Sequence, residues 1–446
     1  MAAERAVVGV NRYVAQRLTA SRDAAPCPPT IDTLRVSNRG RATLVPGTVG
    51  RTAASQLGAI GRHLGLAWPV FVVFLAQRLL TVAFVYHQAG GLRRLVTRWD
   101  AGWYLGLAEG GYVYPNFFPD GRIRWSNLAF FPLFPWLVRR IDDFGLLSLS
   151  QALLAVSWLG GLLAVWAIFA VGNALYGRWA GIALSALWGM APASLTLTMG
   201  YPEGMFTAAA AAALYCLIRR RPVLAGACAL VAGLLRPSAV AVIAMVGVYF
   251  LVELGRWLAL RRSHSDDESA RLEHAAPNAA EPAPVRAFLG AIVSTLGLGG
   301  FMVYVGIRTG EVFGYFAVQG QWGQETAGIA EYVHGVFHGL FSAKPGSFIP
   351  LNIAVSMVYL LLFCLIVFDR KLVWASVYAA GLLAMSLTHV TYQNIYARQL
   401  LPAFVLLIPL IRMRVSRSGA ITALTLGSIL MSWGGARFLV TSAAAL

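Results

Sequence analysis

The sequence predicts an all-α integral membrane protein, a bundle of about eleven transmembrane helices, and three observations carry that prediction. Hydrophobic residues make up 58% of the chain and charged residues only 12%, against roughly 25% charged in a soluble globular protein. The apolar residues recur in runs, many of them long enough to cross about 30 Å of hydrocarbon. Positive charge gathers at the ends of those runs: 36 Lys and Arg stand against 19 Asp and Glu, for a net charge of +17. No basic run is interleaved with aromatics, so topology accounts for the charge and nucleic acid is not an expected partner. Cys27, Cys216, Cys228 and Cys364 form no CxxC pair and imply neither a metal site nor a disulfide framework.

Taken in order, residues 1–62 read as a disordered basic arm. They carry Arg5, Arg12, Arg17, Arg22, Arg35, Arg39, Arg41 and Arg51 against Glu4, Asp23 and Asp32. No apolar stretch follows the first positive charges, so the arm is expected to stay cytoplasmic rather than to be cleaved as a signal peptide. Residues 63–446 then form the membrane domain. Its apolar runs fall at 68–86, 147–176, 179–199, 205–218, 222–235, 238–260, 287–307, 348–368, 372–387, 400–411 and 420–440. With the N-terminus inside, alternate connections carry Arg178, Arg219-Arg220-Arg221, Arg256 with Arg261 and Arg262, Arg370-Lys371, and Arg412 with Arg414 and Arg417, as the positive-inside rule requires. A first outer loop is expected at 88–146, a flexible cytoplasmic linker at 261–286 and a further outer loop at 308–347. His264 and His274 in the linker read as solvated side chains.

This topology sorts Asp100, Glu109, Glu203, Arg236, Gln319, Trp322, His389 and Arg398 to outer span ends or outer loops. Polar residues gathered on one face are what an active site at a membrane surface needs. Mid-membrane ionisable groups, which a transporter uses for coupling, are few, and Arg78 is the clearest. No internal repeat of the inverted kind is evident.

Each motif on that face admits two readings. Trp99, Trp103, Tyr104 and Tyr112 suit an interfacial helix, yet Asp100, one turn from Tyr104, also suits a general base toward a sugar hydroxyl. Glu203, after Gly200-Tyr201-Pro202, serves as a helix-dipole partner or as a site carboxylate. Arg236, with no acidic residue near it in sequence, snorkels to lipid headgroups or presents its planar fork to a phosphate. The stretch from Phe313 to Gly323 is an interfacial helix or a stacking platform for a sugar. His334 and His338 are spaced i, i+4 without a third ligand, and no metal is assigned to them.

The motifs Trp99-Asp100-Ala101, Gly111-Tyr112, Phe130-Phe131-Pro132-Leu133-Phe134-Pro135, Tyr201-Pro202-Glu203, Gln319 with Trp322, and Arg398 followed by Leu400-Leu401-Pro402 together resemble the PIG-V family of mannosyltransferases, multi-spanning enzymes of the GT-C class. The resemblance runs intermittently from about residue 68 to residue 402, and Tyr396-Ala397-Arg398-Gln399 departs from the family's usual Pro-Arg-Tyr. It implies a GT-C-type bundle whose first outer loop carries interfacial helices and the catalytic carboxylate, here Asp100. Glu109, Tyr104 and Glu203 are then expected to meet or position the acceptor, Arg236 and Arg398 to hold the donor phosphate, and Trp99, Gln319 and Trp322 to form a platform for sugar or lipid. The expected partners are a polyprenyl-phosphate sugar donor, a glycan, lipid or protein acceptor, and membrane lipids, with no cofactor. Neither a GxGxxG unit nor a DxD motif is present for a nucleotide sugar. The expected location is the plasma membrane, with the site on its extracytoplasmic face. The competing classes are a transporter or flippase of lipid-linked sugars and a non-catalytic scaffold of the cell envelope.

Overall fold

The computed structural model describes residues 47–113, 126–265, 284–322, 329–341, 349–387, 396–413 and 415–442. By compactness the chain divides into Met1–Ala59 and Ile60–Leu446. Of the first unit only the helical backbone of 47–59 is described, and the second unit holds the helical bundle and its polar cluster. His274, His389 and most of the expected arm and linker lie outside the described residues.

In chain order the helices are α1 (Gly47–Ala89), α2 (Arg94–Thr97), α3 (Asp100–Gly110), α4 (Leu133–Asp143), α5 (Leu149–Tyr176), α6 (Arg178–Gly189), α7 (Glu203–Ile218), α8 (Pro222–Gly233) and α9 (Ala239–Ser265). They continue with α10 (Pro284–Thr309), α11 (Gly314–Gln321), α12 (Ile329–Phe341), α13 (Ile349–Ile366), α14 (Val373–Leu387), α15 (Tyr396–Leu400), α16 (Ile408–Ile411) and α17 (Arg417–Thr441). No strand occurs among the described residues. The fold is all-α and of membrane type. Among the described residues, six helices are long and apolar enough to cross a bilayer: Gly65–Ala89 of α1, α5, Ala239–Arg262 of α9, α10, α13 and α17.

Among the described residues the other apolar runs give shorter or broken helices, α14 among them, so that six of the roughly eleven expected helices reach full spanning length and apolarity. The run at 179–199 gives α6, of 12 residues, and then a 3-10 turn at Ser194–Leu197. Those at 205–218 and 222–235 give α7 and α8, of 16 and 12 residues, roughly 24 and 18 Å at 1.5 Å per residue. The run at 400–411 is broken into a 3-10 turn at Phe404–Leu407 and the four-residue α16. Pro402 and Pro409 remove donors a continuous helix needs. Leu400, Leu401 and every residue from Ala403 to Ile408 are nevertheless buried. Apolar composition alone did not show that this segment is broken and covered by protein.

Irregular backbone inside such a bundle requires partners for its polar groups, and both irregular segments have them. The Trp188 indole donates to Leu401 O at 3.0 Å and the Tyr378 hydroxyl to Pro402 O at 3.0 Å. Around Ser194–Tyr201, Arg78 of α1 donates to the carbonyls of Gly189 and Ser194 and to Thr198 Oγ1. Trp158 Nε1 donates to Thr198 O, and the Ser157 hydroxyl lies 2.7 Å from Met199 O and 3.0 Å from Tyr201 O. Arg78, the mid-membrane arginine of the sequence, thus closes the C-terminal end of α6, where cations and donors to the last carbonyls are favoured.

Helix crossings without side chains fix where the site is built. A Cβ on Gly204 of α7 would stand 2.6 Å from the backbone nitrogen of Gly161 on α5, and one on Gly160 would stand 2.7 Å from the backbone nitrogen of Met205. The first turn of α7 is pressed against α5, and Glu203 is carried into the interior.

Candidate active site

Four charged residues flagged separately by the sequence meet at one place. Asp100 is the first residue of α3, Glu203 the first of α7, Arg236 lies in the turn between α8 and α9, and Arg398 lies in α15. Arg398 joins the two carboxylates: its Nη2 pairs with Asp100 Oδ2, and its Nε donates to Glu203 Oε1 at 2.6 Å. Arg236 Nη1 pairs with the same Glu203 oxygen. The side chains are 0% exposed for Glu203, 10% for Arg398, 11% for Arg236 and 22% for Asp100, which makes Asp100 the member that faces outward. Two cations balance two anions, the condition under which buried charges are tolerated.

The sequence around each residue explains its placement. Arg398 is steadied because the amide of the residue before it, Ala397, donates to Asn352 Oδ1 of α13 at 3.0 Å, while the carbonyls beyond α15 are held by Trp188 and Tyr378. Arg236 follows the end of α8, where its backbone N–H donates to Ala232 O at 3.2 Å. The turn is tied to α4 by the Leu133 N–H on Leu234 O at 3.1 Å. Pro202 precedes α7, so Glu203 lies at the positive end of a helix dipole as well as beside two arginines.

Tyr201, absent from the expected site residues although it stands in the Tyr-Pro-Glu motif, completes the group. Its hydroxyl accepts the Asp100 N–H at 3.2 Å and its ring lies 4.6 Å from the Arg398 guanidinium carbon. Burial, and next the charge on Asp100, hold the Tyr201 phenol well above its ordinary range, against the pull of Arg398, so it remains a neutral donor and acceptor. Burial works against the charge on Arg398, but Asp100, Glu203 and Tyr201 outweigh it and raise its pKa well above the usual value.

The other expected site residues separate into neighbours and strangers. Tyr104 is buried between Phe130 and Phe134, with ring centroids 5.1 and 5.2 Å away. Burial first, then Glu203, raises its pKa, with Asp100 adding to the effect and the two arginines opposing it. It is close enough to feel the cluster, and it stays protonated. Glu109 is exposed at the far end of α3, roughly 13 Å from Asp100 along the helix axis, and its backbone carbonyl accepts from Arg139 Nη1 at 2.7 Å. The structure does not bring it to Asp100.

Trp322 packs edge-on against Trp103 at 4.9 Å and Phe130 at 5.4 Å, and its indole donates to Ser126 O at 3.2 Å. Gln319 donates to the Tyr315 hydroxyl at 2.7 Å. Trp99 lies in a different cluster, against Phe438 at 5.4 Å. The expected platform is therefore divided: Trp322 and Trp103 on one flank of α3, Trp99 on another. Arg236, expected without an acidic partner, has one in Glu203, which is 33 positions away in sequence. His334 and His338 lie on the exposed face of α12, and no group of three or more potential metal-binding side chains occurs among the described residues.

No protein-family model matches this chain, and no curated protein matches it. Among solved structures it is similar to ArnT from Cupriavidus metallidurans bound to undecaprenyl phosphate, at 15% identity and a TM-score of 0.47, over 80% of this chain and 62% of that one. It is also similar to the Archaeoglobus fulgidus oligosaccharyltransferase in complex with Zn and sulfate, at 12% identity and a TM-score of 0.40, over 82% of this chain and 53% of that one. A third likeness is to AglB from the same organism with an inhibitory peptide and a dolichol-phosphate, at 11% identity and a TM-score of 0.40, over 84% of this chain and 55% of that one. The chain spans less than two thirds of the length of each.

Proposed function

We propose that this protein is a membrane glycosyltransferase of GT-C type that moves a sugar, mannose by the motif resemblance, from a polyprenyl-phosphate donor to an acceptor hydroxyl on the extracytoplasmic face. The observation that carries the reading is that Asp100, the outermost member of a buried charge cluster, is held by an arginine that is itself braced by a second, fully buried carboxylate. A carboxylate fixed in this way is pre-aimed at an incoming hydroxyl.

In this reading the acceptor oxygen attacks the anomeric carbon from the face opposite the phosphate. The bond from that carbon to the phosphate oxygen breaks with inversion, and the acceptor's proton passes to Asp100. The leaving polyprenyl phosphate gains a negative charge. Arg236 spends Nη1 on Glu203, and a guanidinium carries five N–H donors, so the others can meet that phosphate. Arg398 is more heavily engaged and keeps Asp100 in position. The transporter reading relies on mid-membrane charge, and its main candidate, Arg78, is occupied with the carbonyls of Gly189 and Ser194.

Purified protein supplied with radiolabelled polyprenyl-phosphate-mannose and a membrane lipid extract is expected to place label in a new covalent product. Movement of intact donor across vesicles without a new product would instead support the flippase. For the side of the membrane, Gly110→Cys is expected to react with impermeant thiol reagents from outside intact cells and Lys371→Cys to be protected. Gly110 is exposed with open space at its Cβ position, and Lys371 is exposed in a basic turn.

A further inference from the structure

Asp100 is presented by a strained residue. Trp99 has φ +52° and ψ −133°, a conformation that for a bulky side chain costs roughly 1–3 kcal/mol and persists only where the surroundings over-determine it. Part of that support comes from α3's neighbours: the Gly200 N–H donates to Leu95 O at 3.0 Å, and Tyr201 accepts from the Asp100 N–H.

The rest comes from the opposite end of the chain. Arg94 Nη1 donates to Val440 O at 3.2 Å and Arg98 Nη2 donates to Ser442 O. Two arginines four positions apart thus hold a carbonyl of the last turn of α17 and that of its capping residue, where the helix dipole is negative. The Arg98 guanidinium carbon lies 5.5 Å from the Trp99 ring, and the Phe438 ring centroid lies 5.4 Å from it. The buried Trp99 indole nitrogen has no hydrogen-bond partner, so packing against Phe438 and Arg98, not a polar contact, sets the ring. The abutment is itself fixed: Ala436 and Leu439 are buried, Ser432 meets Thr81 of α1 at 2.9 Å, and a Cβ on Gly435 would stand 3.1 Å from the Leu195 side chain.

We infer that the C-terminal turn of α17, through Phe438 and the carbonyls held by Arg94 and Arg98, positions Asp100 by holding Trp99 in its strained conformation. This rests on the proposed role of Asp100 as base. Phe438 and Arg98 are positioning residues and touch no reacting atom. Loss of either lets the Trp99 backbone relax and turns the first residue of α3 away from Arg398. Arg236 and Glu203 lie on other elements, so donor binding is spared.

The test is a double-mutant cycle read as melting temperature in nanodiscs, run beside transfer kinetics with polyprenyl-phosphate-mannose and lipid extract. Asp100→Asn breaks the pair with Arg398. If Phe438 aims Asp100, the melting shift caused by Asp100→Asn falls to half or less in the Phe438→Ala background, because the pair is already loosened. A merely structural Phe438 leaves the two shifts additive. Phe438→Leu, which keeps the packing, retains the wild-type coupling, and Arg98→Gln reproduces the loss if Phe438→Ala does not fold. In transfer, Phe438→Ala is expected to lower kcat tenfold or more with donor KM within threefold. Additive shifts for both Phe438→Ala and Arg98→Gln, or unchanged kcat in both, overturn the inference. Absence of transfer by the wild-type protein would overturn the proposed function instead, and the thermal cycle, which needs no substrate, would still decide the coupling.

Discussion

Arg78 and Arg398 are both buried arginines in one bundle, and they are held by opposite kinds of partner. Arg78 gives its donors to the carbonyls of Gly189 and Ser194 and to a threonine hydroxyl. Arg398 gives its donors to two carboxylates, one of which also receives Arg236. Carbonyl partners are neutral and fixed in the chain, so a guanidinium among them closes a helix end and does nothing else. Carboxylate partners are charged and, in the case of Asp100, partly exposed, so a guanidinium among them builds a charge cluster with one member turned outward. The partners, not the burial, separate an arginine that closes a helix end from the one proposed to serve the site.

The largest expected effect breaks the first half of that comparison. Arg78→Leu leaves two carbonyls and a hydroxyl without a donor, at about 1–3 kcal/mol for each buried group, and is expected to abolish a monodisperse peak on size-exclusion chromatography in detergent. A well-folded Arg78→Leu protein would mean that those carbonyls find other partners. Arg398→Ala comes next, since removing one member of a buried charge cluster costs roughly 3–5 kcal/mol. Adding Glu203→Gln, which removes one stranded negative charge, is expected to recover part of the lost melting temperature. Strict additivity of the two changes would contradict a shared cluster.

These expectations also show what the sequence made legible. The helices of spanning length announced themselves through apolar runs, and Asp100, Glu203, Arg236 and Arg398 each stood out as a charge at the edge of one. Their pairing did not. Arg398 lies 195 positions from Glu203, and only the folded bundle brings Pro202, Gly161 and Asn352 to bear on the same place. The break in the run at 400–411 was hidden for a related reason, because apolar composition is the same whether a segment faces lipid or core. Tyr201 was visible in its motif, but its hydroxyl's service to the Asp100 amide is a tertiary fact. Trp99 gave no sign of its positive φ, since glycine, and less strongly Asn and Asp, are the residues that advertise that conformation in sequence.

Smaller effects sharpen the site half of the comparison. Arg236→Lys and Arg398→Lys keep the charge but lose the planar fork. A loss of at least tenfold in transfer is expected for one of them, with the purified protein still folded, and full activity in both would remove the arginines from phosphate binding. Glu109→Gln is the smallest: the residue is exposed and distant from Asp100, so stability should change by no more than about 0.5 kcal/mol and turnover should stay near that of the wild type. A large loss of turnover in Glu109→Gln would instead return Glu109 to the reacting centre.

The most direct test of the central claim is turnover of Asp100→Asn with radiolabelled polyprenyl-phosphate-mannose, measured together with donor binding. Asparagine preserves size and a hydrogen-bonding oxygen but has no anionic oxygen to accept the acceptor's proton. Turnover is expected to fall by about 10²- to 10⁴-fold, the range for loss of a general base, while donor affinity, which the proposal gives to the arginines, is expected to change little. Near-normal turnover in Asp100→Asn would contradict the account, because the one outward-facing carboxylate of the cluster would then take no part in the reaction.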